Sequence, residues 1–112
     1  MLTAPGAWEG YASLVPEGSN FNNEICPRIM LMKQAPTAMS RAEEVQCPVL
    51  ILVCEKDELV AQDSHVKVME ILGTKAQVIK YPIGHFDIYK GDNLLKAVKE
   101  QIYFVKKILD FK

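Results

Sequence analysis

Hydrophobic positions are spread unevenly along the chain, and a regular pattern begins at Pro48. The residues Val49–Val53 form an unbroken aliphatic run between that proline and the charged stretch 55–58. Such a run predicts a strand that is buried on both faces, as in parallel sheets covered by helices. A second β-rich run, Ala76–Tyr81, stops at Pro82 and predicts a second strand.

A helix is predicted between these two strands. Asp63 or Ser64 provides its start, and Gly73 provides a left-handed stop. Its apolar side consists of Val66, Met69 and Leu72.

A second helix is predicted after the last strand, with Asp92 or Asn93 as its N-cap. Its apolar positions recur at three- and four-residue spacing, which is the period of one helix face. They are Leu95, Val98, Ile102, Val105 and Leu109. The order strand, helix, strand, helix predicts an α/β fold class built on a βαβ unit with one extra helix.

Residues 1–46 are rich in helix breakers, and their sequence predicts a helical and irregular segment. Turn signals stand at Pro5 and at 16–20, with room for a short helix over Ala7–Val15 between them. A further helix is predicted from Asn22 or Asn23 up to Pro36, with Pro27 tolerated in its first turn.

The predicted sheet is incomplete. Two parallel strands do not make an independently stable sheet. The run Val49–Val53 is also too apolar for an exposed edge, where natural sheets place charges or prolines. We therefore expect this strand to have a neighbour on each side, the second supplied by a further segment or by another chain.

Composition narrows the function classes. A length of 112 residues predicts a single domain. The formal net charge of −1 indicates no basic surface for nucleic acid. No apolar run is long enough for a membrane span, and no signal-peptide pattern opens the sequence. No ligand cluster or glycine-rich phosphate loop indicates a metal or organic cofactor.

The three cysteines fit no zinc spacing. We expect Cys26, Cys47 and Cys54 to be reduced, with Cys26 and Cys54 buried rather than nucleophilic, and we expect a cytoplasmic location.

Two polar residues follow the predicted strands in positions suited to chemistry. Asp57 lies in the turn after the first strand, and His85 lies in the loop after the second. Because the carboxyl ends of parallel strands meet at one edge of a sheet, the two side chains are expected to be neighbours. A carboxylate beside an imidazole fixes its tautomer and stabilises the imidazolium formed during acyl transfer.

The surrounding residues leave alternatives open. Glu55 or Glu58 lies close enough in sequence to replace Asp57 as the acid. Asp87 is expected to cap local backbone, and His65 is expected to be a surface residue of the first predicted helix.

Residues Cys47–Phe111 resemble the C-terminal portion of an α/β-hydrolase-fold enzyme. The resemblance is carried by the Pro-aliphatic strand, by the acid turn, and by the phrase Pro-Ile-Gly-His-Phe-Asp-Ile-Tyr at 82–89. This phrase is similar to serine-aminopeptidase-like and dienelactone-hydrolase-like branches, and the order acid then histidine agrees with the family. The resemblance implies Asp57 as triad acid, His85 as base, and 1–46 as a lid-like segment.

The nucleophile of such an enzyme is missing from the sequence. The Gly-x-Ser-x-Gly elbow does not occur, and no serine follows a predicted strand. The serines are Ser13, Ser19, Ser40 and Ser64. The resemblance implies hydrolysis of an ester- or amide-type acyl substrate, with the nucleophile segment expected upstream of Met1.

Two other interpretations remain. The chain could be a catalytically inactive interaction module that pairs its open sheet edge with another copy or a complementing chain. It could also be an unrelated α/β domain in which Asp57 and His85 never meet.

Overall fold

The computed structural model describes residues 4–22, 24, 26–31 and 39–110. Strands β1 (Val49–Cys54) and β2 (Ala76–Tyr81) form a parallel two-stranded sheet. Their register runs from the pair Val49–Ala76 to the pair Cys54–Tyr81. Both strands therefore end together, and their following loops leave the sheet side by side.

Helices surround this pair of strands. α1 (Ala7–Ala12) lies in the N-terminal segment, α2 (Gln62–Leu72) connects β1 to β2, and α3 (Gly91–Ile108) follows β2. Four short 3-10 helices complete the described elements, at Pro27–Leu31, Met39–Glu44, Gly73–Lys75 and Asp87–Tyr89. The chain is thus mixed α/β, as the sequence predicted.

The central elements end close to the positions that the prolines and glycines of the sequence predict. β1 extends the predicted strand by one residue, to Cys54, and β2 has the predicted bounds. α2 ends at Leu72, and Gly73 follows with φ 54°, a conformation that other residues adopt only with strain. Its backbone N–H donates to the carbonyl of Met69 and closes the helix.

Three helix predictions are corrected. α1 is shorter than Ala7–Val15, and a 3-10 turn at Pro27–Leu31 stands where a full helix was predicted. The predicted start at Asn23 and the stop at Pro36 lie outside the described residues. α3 begins at Gly91, after Lys90 and without a side-chain cap, so Asp92 and Asn93 belong to its first turn.

Burial is lower than the sequence predicted. Within the described residues, β1 is half-buried and only Val53 falls fully inside, because β2 is its one neighbour. The small core beside the sheet combines Tyr81, Ile88 and Ala97. On α3 the predicted apolar stripe is exposed, with Leu95 at 59%.

The helices of the described residues differ from membrane-spanning helices. None of those in the described ranges has the length and apolar content needed to cross a bilayer.

Candidate acid–histidine site

The ends of β1 and β2 bring the two candidate residues to one edge of the sheet. The backbone N–H of Glu55 donates to the carbonyl of Tyr81 over 2.8 Å, which continues the parallel pairing past the end of β1. The acid turn and the histidine loop therefore start from a common, fixed position, and this placement follows from the strand register.

Asp57 has partners on both carboxylate oxygens. Its Oδ1 accepts hydrogen bonds from the backbone N–H of Leu59 at 2.8 Å and of Val60 at 3.0 Å. Its Oδ2 lies 2.7 Å from Nδ1 of His85. Bonding of an aspartate to backbone N–H groups two and three residues ahead is a local turn that orders the side chain. The carboxylate is thus held in place before it contacts the histidine.

The contact between Asp57 and His85 defines which ring nitrogen of a neutral imidazole carries the proton. An ionised carboxylate only accepts hydrogen bonds, so Nδ1 of His85 carries a proton and donates it to Oδ2. In a neutral ring the other nitrogen, Nε2, is then an acceptor. This is the tautomer that a general base requires.

Burial and hydrogen bonding act in opposite directions on Asp57. Its side chain is only 11% exposed, against 31% for that of His85. Burial pushes the pKa of Asp57 up, but the hydrogen bonds from His85, Val60 and Leu59 outweigh it, and the pKa lies below its ordinary value. Asp57 is therefore ionised at neutral pH.

The histidine loop is held by a second aspartate. The backbone N–H of Gly84 donates to Oδ2 of Asp87 over 2.9 Å, so Asp87 caps local backbone as the sequence predicted. A Cβ added at Gly84 would lie 3.2 Å from that oxygen, tighter than ordinary contact. The 3-10 turn Asp87–Tyr89 follows directly and buries Ile88.

An aromatic residue next to the histidine connects the site to the N-terminal segment. The rings of His85 and Phe86 meet edge to face, with centroids 4.9 Å apart and an angle of 77° between planes. The Phe86 ring also lies against Gly10 of α1, where a Cβ would stand only 2.8 Å from Cγ of that ring. Sequence reasoning missed this contact, although an isolated glycine inside a helix indicates close packing.

His85 lines two cavities. The larger, of about 370 Å³, runs beside β1 and is also bounded by Asp57, by His65 of α2 and by Ala97 of α3. The smaller, of about 210 Å³, lies between His85, Phe86 and the segment 4–7 at the start of α1.

Other candidate residues of the sequence take different positions. Glu55 and Glu58 are exposed, and neither takes the place of Asp57 at Nδ1 of His85. His65 was expected on the surface but is half-buried and lines the larger cavity. That prediction was wrong because it relied on the polar residues beside His65 in the sequence, which do not show which side of α2 faces the cavity.

The cysteines are not joined in disulfides. Cys26 is exposed, which corrects the expectation of burial, and Cys47 is exposed as well. Burial raises the pKa of the Cys54 thiol, and the nearby carboxylates of Asp57 and Asp87 raise it further. Such a thiol is a poor nucleophile at neutral pH.

No serine lines either cavity in the described part of the chain. Ser13 donates its hydroxyl to the carbonyl of Gly10, and Ser19 accepts from the N–H of Phe21, both at exposed positions. Over the same described ranges, no cluster of three histidine, cysteine or acidic side chains forms a metal site.

Comparison with known proteins gives one informative relative. The chain is 34% identical over 113 aligned residues to the quorum-quenching protein AidA of Acinetobacter baumannii (strain MDR-ZJ06). The alignment covers the whole of this chain but only 36% of the length of that relative. No family model matches the chain, and no solved structure matches it. The chain is therefore similar in sequence, over its whole length, to about a third of a quorum-quenching protein.

Proposed function

We propose that this chain supplies the acid and the base of a Ser-His-Asp hydrolase that acts on an ester- or amide-type acyl substrate. The proposal places the nucleophilic serine and the oxyanion hole in a segment outside this chain. The observation that carries it is the 2.7 Å hydrogen bond between Oδ2 of Asp57 and Nδ1 of His85.

The roles of the two residues follow from their hydrogen bonds. Asp57, bound by two backbone N–H groups, orients the imidazole and stabilises its protonated form. His85 removes the proton of the attacking hydroxyl through Nε2 and later returns it to the leaving group. Because triad members act as a unit, acid and base without a nucleophile retain little activity.

We further propose a division of the chain between residues 46 and 47. Residues 47–112 would form the C-terminal strand–helix–strand–helix portion of an α/β-hydrolase sheet, and 1–46 would form a lid-like segment beside it. The placement of the segment 4–7 against the smaller cavity supports a lid-like role.

The absence of disulfides between the three cysteines agrees with a cytoplasmic location, where thiols stay reduced.

The name of the Acinetobacter relative suggests a substrate class. Quorum quenching is interference with chemical signals between cells, and hydrolysis of an acyl bond in a signal molecule would achieve it. We extend this to the present chain as part of the proposal, on the strength of the 34% identity.

The test is a chimera in which this chain replaces the aligned stretch of the relative. The chimera and the natural relative would be treated with a fluorophosphonate probe and assayed with p-nitrophenyl butyrate. We expect both to be labelled and active. In the chimera, Asp57→Asn should lower kcat about 10⁴-fold and His85→Ala about 10⁶-fold.

Asp63→Asn is the matched control, because Asp63 is an exposed carboxylate that pairs with Lys67 of its own helix, over 3.8 Å. It should leave labelling unchanged. A folded chimera whose activity survives both Asp57→Asn and His85→Ala would show that the pair has no catalytic role. Labelling of the isolated chain would instead place a nucleophile among its own serines.

A second candidate function is favoured by a different observation. In the described residues, β1 pairs only with β2, and four consecutive β1 residues, Ile51–Cys54, line the larger cavity. We propose as the alternative an inactive interaction module that adds a strand of a second copy or of a complementing chain at the second edge of β1. Sedimentation equilibrium of the purified chain tests whether a second copy adds the strand. A single dimer species supports this pairing, and a monomer at all concentrations refutes it.

A further inference from the structure

Helix α1 and the histidine loop approach each other unusually closely at Gly10 and Phe86. Gly10 has no side chain, and the ring of Phe86 occupies the space where one would stand. An ideal Cβ at Gly10 would lie 2.8 Å from Cγ of that ring and closer still to Cδ2 and Cε2. Real Cβ atoms do not come so near, so the present position of the ring depends on glycine at this position.

The same ring also contacts His85. The two rings meet edge to face, an arrangement that aromatic pairs favour because the positive edge of one faces the negative surface of the other. The imidazole of His85 is therefore restrained twice, by Asp57 at Nδ1 and by the adjacent Phe86 ring. A hydrogen bond at Nδ1 fixes one atom of the ring but leaves rotation about that bond, which a flat neighbour restricts.

We propose that Phe86 is a positioning residue for His85 and that Gly10 of α1 sets the position of the Phe86 ring. The N-terminal helix thereby becomes part of the site although it is distant in sequence. This inference rests on the proposed role of His85, and it adds a specific mechanical link between the lid-like segment and the base. It also gives a physical reason for a glycine in the middle of α1, where alanine is the better helix former.

The neighbouring cavity is consistent with this link. The cavity of about 210 Å³ is bounded by the start of α1 on one side and by His85 and Phe86 on the other. A displacement of the Phe86 ring therefore changes both the orientation of the imidazole and the shape of the space beside it.

The experiment uses the full chain and reads out the imidazoles by NMR. The sequence contains only two histidines, so His65 serves as an internal reference for His85. In the wild-type protein we expect a slowly exchanging Nδ1 proton on His85, because Nδ1 is bonded to Asp57. Gly10→Ala should shift the ring signals of His85 and cause loss of its Nδ1 proton signal, while the signals of His65 stay in place.

Glu9→Ala is the matched control, because it introduces the same residue at the adjacent exposed position of α1. It should leave both histidines unchanged. Phe86→Leu keeps an apolar side chain but removes the flat ring, and it should also shift the His85 signals. In a Phe86→Ala background, Gly10→Ala should have no further effect, because the group that it displaces is gone.

Two results would overturn the proposal. The first is a folded Gly10→Ala protein in which the His85 signals match those of wild type. The second applies if Gly10→Ala alone does not fold: the double variant Gly10→Ala with Phe86→Ala should then fold, and its failure to do so refutes the overlap with the ring. Neither result depends on catalysis. An inactive chimera would therefore refute the proposed function, and this inference would still stand if the His85 signals respond to Gly10→Ala as expected.

Discussion

The backbone N–H of Lys56 donates to the carbonyl of Ile83 over 3.0 Å, beyond the ends of the two strands that precede them. Together with the bond from Glu55 to Tyr81, it ties the acid turn to the histidine loop through main-chain atoms alone. The two loops therefore keep their relative position independently of the side chains they carry. Substitutions at Asp57 or His85 should accordingly change chemistry and local ordering more than they change the fold.

The low pKa of Asp57 predicts a specific pH dependence of stability. A carboxyl whose pKa is lower in the folded than in the unfolded protein stabilises the fold above its unfolded pKa. That contribution is lost as the pH falls from the ordinary value of 3.8 through the lower folded value. We expect urea unfolding to show wild type losing stability over this acidic range more steeply than Asp57→Asn. Asp63→Asn, which removes an exposed carboxylate of α2, should keep the wild-type slope; equal slopes for all three proteins would contradict the prediction.

The hydrogen bond from Gly84 to Asp87 predicts a local loss of order when it is removed. Asp87→Ala should destabilise the protein by about 1 kcal/mol, the usual net value of one hydrogen bond. It should also speed amide exchange at Gly84, because this N–H donates to Oδ2 of Asp87 over 2.9 Å. Asp87→Asn retains a side-chain oxygen acceptor and should keep most of the protection. The prediction is wrong if Gly84 exchanges at the same rate in wild type and in Asp87→Ala.

The cysteines are predicted to differ in reactivity. Burial and the carboxylates of Asp57 and Asp87 raise the pKa of Cys54, so its reactive thiolate is scarcer than that of an ordinary thiol. Cys26 and Cys47 are exposed. Iodoacetamide at neutral pH, followed by peptide mass spectrometry, should therefore modify Cys54 last. In urea the three rates should converge, and a Cys54 rate equal to the others in the folded protein would count against this.

Two positions on α3 should differ in how strongly a substitution changes the free energy of unfolding. Ala97 is 2% exposed and packs in the small core, so Ala97→Leu should destabilise the chain by about 1–3 kcal/mol through overpacking. Leu95 is 59% exposed, so Leu95→Ala should change the free energy of unfolding by less than about 0.5 kcal/mol. Urea unfolding of both variants measures this. A large loss for Leu95→Ala would show that the apolar stripe of α3 is covered in solution.

The sequence predicted the sheet and the acid–histidine contact well for a physical reason. β1, α2 and β2 are delimited by residues with strict backbone preferences, Pro48, Gly73 and Pro82, and parallel pairing then places the following loops together. The catalytic role of that contact stays a prediction.

The errors fall where tertiary context decides. The exposed stripe of α3 and the half-buried β1 depend on what covers them, which periodicity does not contain. The packing of Phe86 on Gly10 joins distant parts of the chain through a non-local contact, and no local pattern specifies its partner.

The composition of β1 also bears on aggregation of the chain. Val-Leu-Ile-Leu-Val-Cys is a six-residue segment with high β propensity, no charge and no proline, which is the composition of segments that stack into steric zippers. Within the described residues its second edge is unpaired by any strand, so its backbone is a template for such stacking. Pro48 before the strand and the charged residues 55–58 after it act as gatekeepers that interrupt a longer stack. The charges that surround the candidate acid would thus also protect the chain from forming fibrils.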